Sequence, residues 1–472
     1  MAMMPRLTAV LDRLDRHLPQ TLETLKDFLR FPSIGTDPAH HADCRATAEW
    51  MKRHLEALGF TAALHDTTGQ PVVLGELVQP GLPAAAPHVL FYGHYDVQPV
   101  DPLALWTHPP FAPTLVKGED GRERLYARGA ADDKGQLMTF LAAVAAWRAE
   151  GGILPFRLTV LIEGDEEGDS HHLERFVAAH AKTLKPDICF ICDTGLWDDD
   201  TPLICTSLRG CIADEVTITG PRIDLHSGYY GGPAANPLHA LSAALAALHD
   251  KNGRVTIPGF YDGIAKLTPR RRKELQALRF NTRKYLGDVG LKIPAGERGY
   301  TALEQIWLRP TAEVNGMTGG YTGEGSKTVL PSKASAKLTF RLVAGQNPAL
   351  IRKNFRAFIK AQLPRDCTVT FDNQTHDNHA VLLSSDSPWI AAAARALKDE
   401  WGRKPVIGGE GGSIPVAGAF ARHLKADSLL MGFSRASDAV HSPDEKYDVD
   451  CFHRGARSWA RLIAALAEGV SS

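Results

Sequence analysis

Histidine and carboxylate side chains cluster in five short stretches of the sequence, and this combination could bind metal ions. The stretches are Gly93-His-Tyr-Asp-Val97, Ala127-Arg-Gly-Ala-Ala-Asp-Asp-Lys-Gly135, Glu163-Gly-Asp-Glu-Glu-Gly168, Cys192-Asp-Thr194 and Val440-His-Ser-Pro-Asp-Glu445. Nitrogen and oxygen donors without thiolates suit zinc, manganese or cobalt. A carboxylate shared by two ions, with further ligands for each ion, is the arrangement of two-metal hydrolases.

Each stretch also has a simpler interpretation when it is taken alone. A His-x-Asp pair is common on protein surfaces, Asp132 and Asp133 could cap a helix, and the paired glutamates could form a solvated acidic turn. In a strand, however, residues two apart project from the same face, so Asp96 could accept the ring N–H of His94 and improve its other nitrogen as a ligand. Asp132 could bridge two cations through its two oxygens.

The predicted secondary structure gives these stretches a common position. Strands are predicted over 88–93, 156–163, 188–191 and 428–431, and they alternate with helical patterns such as 136–150. This alternation predicts an α/β domain with a mixed, mostly parallel sheet. Because open α/β sheets bind ligands at the carboxyl ends of their strands, we expect the polar stretches to converge there.

The middle of the chain has a different pattern. Half-exposed strands and helices are predicted over 212–219, 334–343, 368–372, 237–249 and 348–362. This pattern predicts a smaller antiparallel α+β domain inserted into the larger one. The expected division is a discontinuous first domain of residues 1–208 and 385–472, and an inserted domain of residues 209–384.

Composition excludes several classes of protein. The 472 residues carry a net charge of -1, which argues against a nucleic-acid binder, since such proteins need surplus lysine and arginine to meet phosphates. No apolar run approaches the length of a membrane helix, and no secretion signal is recognisable at the start, so we expect a cytoplasmic protein.

The seven cysteines fit reduced thiols better than a disulfide framework. A structural zinc or thiol-redox site built on Cys189 and Cys192 is an alternative. It is disfavoured because side chains three apart in a strand point to opposite faces.

The order and the amino-acid sequences of the five stretches resemble those of the carnosinase/dipeptidase branch of the aminoacylase-like metallopeptidases. The resemblance extends over nearly the whole chain. The resemblance implies an aminopeptidase-like catalytic domain that carries two divalent ions, zinc with manganese or cobalt as alternatives, and an inserted lid and dimerisation domain. It implies five metal ligands: His94 and Asp193 for one ion, Glu167 and His441 for the other, and Asp132 between them.

The same resemblance implies roles around the ions. Asp96 would orient His94, and Glu166 would be the general base that takes a proton from a metal-bridged water. A cis peptide is expected between Asp132 and Asp133.

The resemblance extends to the inserted domain and the loop at 410–415. His226, in Asp224-Leu-His-Ser-Gly, would reach across a homodimer interface and stabilise the oxyanion in the neighbouring site. Arg341 and Ser413 would hold the terminal carboxylate of a small peptide, and Thr328, in Lys327-Thr-Val-Leu-Pro331, would line the cleft.

The expected function is therefore metal-dependent hydrolysis of dipeptides that have a free C-terminal carboxylate. An N-acyl amino acid amidohydrolase on the same scaffold is the alternative, because both enzymes cleave an amide beside a carboxylate. A non-catalytic binding protein that has kept the fold would have a broken ligand set or a missing base, and neither is seen in the sequence.

Overall fold

The computed structural model describes residues 7–168, 171–373, 378–383 and 387–469. It divides into two compact units. The first unit comprises Met1–Thr206, Leu383–Gly409 and Ala419–Ser472, and the second comprises Ser207–Leu382 and Glu410–Gly418. The segment Glu410–Gly418, which the sequence analysis assigned to the first domain, groups with the second unit, where the backbone N–H of Arg209 donates to the carbonyl of Gly412.

The regular elements are as follows, in chain order. The helices are α1 (Leu7–Leu29), α2 (His41–Ala57), α3 (Lys134–Ala149), α4 (His171–Ala179), α5 (Ala181–Leu184), α6 (Ser227–Tyr230), α7 (Pro237–Ala246), α8 (Pro269–Ala277), α9 (Thr282–Gly287), α10 (Ala302–Leu308), α11 (Pro348–Ala361), α12 (Pro388–Trp401), α13 (Pro415–Ala419) and α14 (Val449–Gly469). The strands are β1 (Phe60–His65), β2 (Val72–Leu77), β3 (His88–His94), β4 (Thr114–Lys117), β5 (Glu123–Tyr126), β6 (Arg157–Glu163), β7 (Ile188–Ile191), β8 (Leu203–Leu208), β9 (Gly210–Thr219), β10 (Leu225–His226), β11 (Thr311–Gly319), β12 (Val329–Leu330), β13 (Lys333–Leu342), β14 (Thr368–Asn373), β15 (Val381–Leu382), β16 (Val406–Gly409), β17 (Asp427–Met431) and β18 (Lys446–Asp448).

The first unit is built on one large mixed sheet. Its strand order runs β1-β2-β6-β3-β7-β17-β8, and β6, β3, β7 and β17 are parallel to their neighbours in this group. The strands at either side pair antiparallel. This confirms the predicted mixed, mostly parallel α/β sheet. A separate small sheet joins β18, β5 and β4.

Aromatic side chains fill the core between this sheet and its helices. Phe91 of β3 stacks on Phe140 of α3 with 3.9 Å between ring centroids, and Trp459 of α14 meets Phe140 edge-on at 5.2 Å. All three rings are buried. Such a core explains why every residue of β3 and β7 is buried, since helices cover a parallel sheet.

The second unit is antiparallel. Its main sheet has the order β11-β13-β9-β14, and helices α7 and α11 pack against it, with Phe340 of β13 lying 4.9 Å from Phe355 of α11. A short ribbon pairs β10 with β12. The basic run at 270–273 lies in the first turns of the exposed helix α8.

Two further findings bear on the expectations from composition. Among the residues described, the helices are all too short or too polar for a span across a bilayer. The seven cysteines are free of disulfide bonds, six of them buried and Cys211 partly buried.

Candidate metal centre

His94 is the last residue of β3, and its side chain is fully buried. Its Nδ1 lies 3.1 Å from the backbone oxygen of Asp96 and 3.3 Å from the Asp96 carboxylate. Its Nε2 lies 3.1 Å from Asp132 Oδ1 and 4.0 Å from Asp193 Oδ2. Acceptors thus face both ring nitrogens: Asp96 can hold the N–H of Nδ1, while Nε2 points at the two carboxylates, which is the orientation of a metal-binding histidine.

His441 approaches the same aspartate from another loop. Its Nε2 lies 2.9 Å from Asp132 Oδ2 and 3.2 Å from Glu167 Oε2. The backbone of His441 is left-handed, with φ 65°, which is uncommon for a residue with a side chain. Residues held in this conformation persist where the surrounding structure enforces it.

Two groups of ligand atoms result, and they share Asp132. One group is His94, Asp132 and Asp193, and the other is Asp132, Glu167 and His441; within each group the ligand atoms lie within 4.8 Å of one another. The two oxygens of Asp132 face different histidines. The structure thus brings together all five residues predicted as ligands, in the grouping that the sequence analysis expected.

Several carboxyl groups lie close together in the centre, and this crowding shifts their pKa values. Desolvation, followed by repulsion from Asp132, raises the pKa of Asp193 and of Glu167. Hydrogen bonds that His441 donates to the carboxylates of Asp132 and Glu167 raise its pKa to about 10. Crowded carboxylates favour bound cations, and a nitrogen and oxygen donor set fits two divalent ions of the zinc, manganese or cobalt type.

Asp96 makes contacts that the sequence analysis did not foresee. Besides lying next to His94, its carboxylate accepts the backbone N–H groups of Glu166 at 3.2 Å and Glu167 at 3.0 Å, and it is fully buried. Asp96 therefore ties the loop of the two glutamates to the histidine. The peptide bond between Asp132 and Asp133 is cis, as expected.

Glu166 lies beside the ligands. Desolvation is the main cause that raises its pKa to about 8, and Glu167, Asp132 and Asp96 add repulsion. A carboxylate with a pKa near neutrality is suited to moving protons.

Gln98 is a neighbour of the centre that sequence reasoning missed. Its Nε2 donates to Glu167 Oε2 at 2.6 Å, which orients that carboxylate. Glutamine has no charge or ligand pattern to single it out, and its position shortly after His94 was the one available signal.

A cavity of about 520 Å³ opens beside the ligands in the first unit. Asp132 and Asp193 line it together with Thr194, Ser434 and Val440. Its size falls in the range of small-molecule sites, about 300–1,000 Å³.

The remaining predicted residues, His226, Thr328, Arg341 and Ser413, belong to the second unit. His226 ends β10, and the N–H of the next residue donates to the carbonyl of Thr328 at 3.0 Å. Arg341 of β13 donates from Nη1 to Ser413 Oγ at 2.9 Å.

Comparisons with known proteins agree with this arrangement. The model of "Peptidase family M20/M25/M40" matches residues 90–465. Cys-Gly metallodipeptidase DUG1 of Candida albicans is 30% identical over 472 residues, covering 96% of each chain. Beta-Ala-His dipeptidase of Homo sapiens is 28% identical, covering 98% of this chain and 93% of its own.

A solved structure gives the same picture. The crystal structure of the M20 family metallo-carboxypeptidase Sso-CP2 from Sulfolobus solfataricus is 30% identical and has a TM-score of 0.85, covering 95% of this chain and 99% of its own. The resemblance to the dipeptidase branch is confirmed. The chain belongs to peptidase family M20/M25/M40 and is a metallopeptidase.

Proposed function

We propose that this metallopeptidase hydrolyses dipeptides with a free C-terminal carboxylate, with Glu166 as general base. The observation that carries the proposal is the shared carboxylate: Asp132 lies between two ligand groups, with one oxygen toward His94 and the other toward His441. Two divalent ions, which we propose to be zinc with manganese or cobalt as substitutes, would lower the pKa of an attacking water and polarise the scissile carbonyl.

Glu166 would take the proton from the attacking water and deliver it to the leaving amine. Its pKa of about 8 supports this role, because a carboxyl group that titrates near neutral pH can both accept a proton and release it. Asp96 would hold the backbone of Glu166 in place through the N–H that its carboxylate accepts. General base catalysis of this kind contributes about 10²–10⁴-fold.

His226 is suited to stabilising an oxyanion. Its Nδ1 accepts the backbone N–H of Gly228 at 3.0 Å, so the neutral ring carries its proton on Nε2, and the side chain is exposed. An exposed N–H is the donor that a developing negative oxygen needs. We propose that His226 serves the active site of the other protomer in a homodimer formed through the inserted domain, with Thr328 beside it.

The cross-subunit role predicts complementation between two inactive variants. His226→Ala should lose about 10²–10³-fold in kcat, as when other oxyanion donors are removed. Mixed with Glu166→Ala and refolded together, it should recover about a quarter of wild-type activity, because half of randomly paired dimers are mixed and each has one intact site. Each variant refolded alone is the control. Mixed dimers that form but stay inactive would refute the role.

Arg341 and Ser413 would hold the substrate carboxylate. An arginine fork can bind a carboxylate through two parallel hydrogen bonds, and Ser413 is already paired with Arg341. Ser413 in turn donates to the backbone carbonyl of Arg209 at 2.5 Å, which fixes the hydroxyl.

Arg341→Met should raise KM for dipeptides by about 10–100-fold, with a smaller change in kcat, since a hydrogen bond to a charged group contributes about 1.5–3 kcal/mol. The wild-type preference for a dipeptide over its C-terminal amide should disappear. Lys337→Met, an exposed cation on the same strand, is the matched control and should keep that preference. Undiminished discrimination in Arg341→Met would contradict the carboxylate assignment.

A substrate panel tests the function itself. Dipeptides, tripeptides and acetyl or succinyl amino acids should be compared before and after chelation, with readdition of zinc, manganese or cobalt. We expect dipeptides to have the highest kcat/KM and chelation to abolish their hydrolysis. Faster cleavage of acyl amino acids would favour the amidohydrolase alternative, and faster cleavage of tripeptides would favour a carboxypeptidase, the activity named for the Sulfolobus relative.

We also propose that the enzyme works in the cytoplasm. The absence of a disulfide bond among its seven cysteines supports a reducing compartment.

A further inference from the structure

Glu445 is a buried carboxylate that the proposed chemistry does not use. It ends the loop that carries His441, and β18 begins at the next residue. A carboxylate is rarely fully buried unless hydrogen bonds and an opposite charge compensate it. The hydrogen-bond partners of the Glu445 carboxylate therefore indicate its structural role.

All of those partners lie in the turn that leads to Asp132. Glu445 Oε1 accepts the backbone N–H of Ala131 at 2.9 Å and of Asp132 at 3.1 Å. Its Oε2 accepts the backbone N–H of Gly129 at 3.0 Å and the Arg128 Nη1 at 2.8 Å. Both oxygens are thus fully engaged, and three of the four donors are backbone groups.

The turn has a shape that needs such support. Gly129 has φ 82°, a conformation that favours glycine. It lies in a tight bend of the backbone just before α3 begins. The N–H groups of a bend like this have no helical or strand partner of their own. Glu445 supplies their acceptors, so it holds the backbone from which the Asp132 carboxylate projects.

The loop on the other side is equally constrained. Ala439, His441 and Asp444 all have left-handed backbones, with φ of 56°, 65° and 59°. Asp444 accepts the backbone N–H and the hydroxyl of Thr107, each at 2.7 Å. The carbonyl of Glu445 accepts the N–H of Ala127, next to the pairing of β18 with β5. The loop of His441 and the turn of Asp132 therefore meet at Glu445.

We propose that Glu445 is a positioning residue that locks the turn of Asp132 to the loop of His441 and so sets the spacing of the two ligand groups. The inference rests on the two-ion site of the proposed function. Without the four hydrogen bonds, Asp132 could shift relative to both histidines. Loss of a group that orients metal ligands typically costs about 10–100-fold in metal affinity.

The simpler alternative is that Glu445 only neutralises the buried Arg128. Charge neutralisation needs a negative charge near the guanidinium and no particular bond to the turn. Buried ion pairs can often be replaced by apolar side chains without loss of stability, provided that both partners are removed. Two double variants that remove both charges therefore separate the two roles.

The matched pair is Arg128→Met/Glu445→Gln and Arg128→Met/Glu445→Met. Both lack the charges, but the glutamine keeps one oxygen that can accept the N–H groups of Ala131 and Asp132, whereas the methionine has none. Each protein is stripped of metal and titrated with Co²⁺, followed by calorimetry and by the visible absorption of the bound ion. Thermal unfolding is measured on the same samples.

We expect the methionine variant to bind Co²⁺ at least about tenfold more weakly than the glutamine variant, with altered absorption, while their unfolding temperatures stay similar. Wild-type affinity in both would overturn the positioning role. If the methionine variant fails to fold, Glu445→Asp takes its place, because the shorter carboxylate keeps the charge but cannot reach the turn; wild-type affinity there would equally overturn the proposal.

The titration also distinguishes failure of this inference from failure of the proposed function. Wild-type protein that binds two Co²⁺, with unaffected variants, refutes the role of Glu445 alone. Wild-type protein that binds no Co²⁺ refutes the two-ion site and, with it, the positioning role. Dipeptide turnover is not needed for either conclusion.

Discussion

Replacing Asp132 by alanine should remove both metal ions and bring dipeptide hydrolysis below detection. Its oxygens lie 3.1 Å from His94 Nε2 and 2.9 Å from His441 Nε2, so the two ligand groups lose a donor at once. Metal affinity depends on the number and geometry of the donors, and each group is left with two. Metal analysis of purified Asp132→Ala should find well under one ion per chain.

A variant that removes a donor from one ligand group alone provides the comparison for Asp132→Ala. Asp193→Ala removes a donor from one group and should retain one ion, since the group of Glu167 and His441 stays complete. Asp12→Ala changes an exposed carboxylate on α1 and should retain both ions and full activity. Two ions and wild-type turnover in Asp132→Ala would contradict the shared-ligand arrangement.

Glu166→Gln should lower kcat by about 10²–10⁴-fold while both ions stay bound. The amide has nearly the shape of the carboxylate, and the backbone N–H of residue 166 still reaches Asp96. What is lost is the capacity to accept a proton. Steady-state kinetics and metal analysis of the same preparation check both statements, and KM should change little.

The matched control for Glu166 is its neighbour. Glu167→Gln weakens a ligand of the His441 group, so it should lose metal along with activity. Glu166→Gln with normal metal content and near-wild-type kcat would show that another group is the base.

The pH dependence of Glu166 follows from its surroundings. Desolvation by protein groups raises its pKa to about 8. A base works in its ionised form, so kcat should rise with pH as Glu166 loses its proton. Cations in both ligand groups would favour the carboxylate and move this rise below pH 8. The residual kcat of Glu166→Gln should not show this rise with pH.

The sequence by itself determined which side chains stand at the ends of strands. His94 ends β3, the stretch with Glu166 follows β6 and Asp193 follows β7, as the apolar runs and their polar breaks predicted. This is possible because strand length and alternation are local properties, readable from neighbouring residues. The position of the ligands at one edge of the sheet then follows from the general rule for parallel strands.

No local pattern of the sequence shows which candidate ligands belong together; the family resemblance implied the grouping, and only the tertiary structure produces it. Asp132 and His441 lie 309 residues apart, and their contact depends on the order of the strands and on the left-handed backbone of the loop. Local patterns contain no information on either. The grouping of Glu410–Gly418 with the second unit is likewise a matter of long-range contacts.

The supporting contacts were beyond sequence reasoning for a different reason. Asp96 holds the N–H groups of Glu166 and Glu167, and Glu445 holds those of Ala131 and Asp132. Every residue except proline has a backbone N–H, so a carboxylate that binds one leaves no complementary side chain in the sequence to reveal the pairing. The chain therefore discloses its candidate metal ligands by their chemistry, whereas the groups that hold those side chains in place become visible only in the folded backbone.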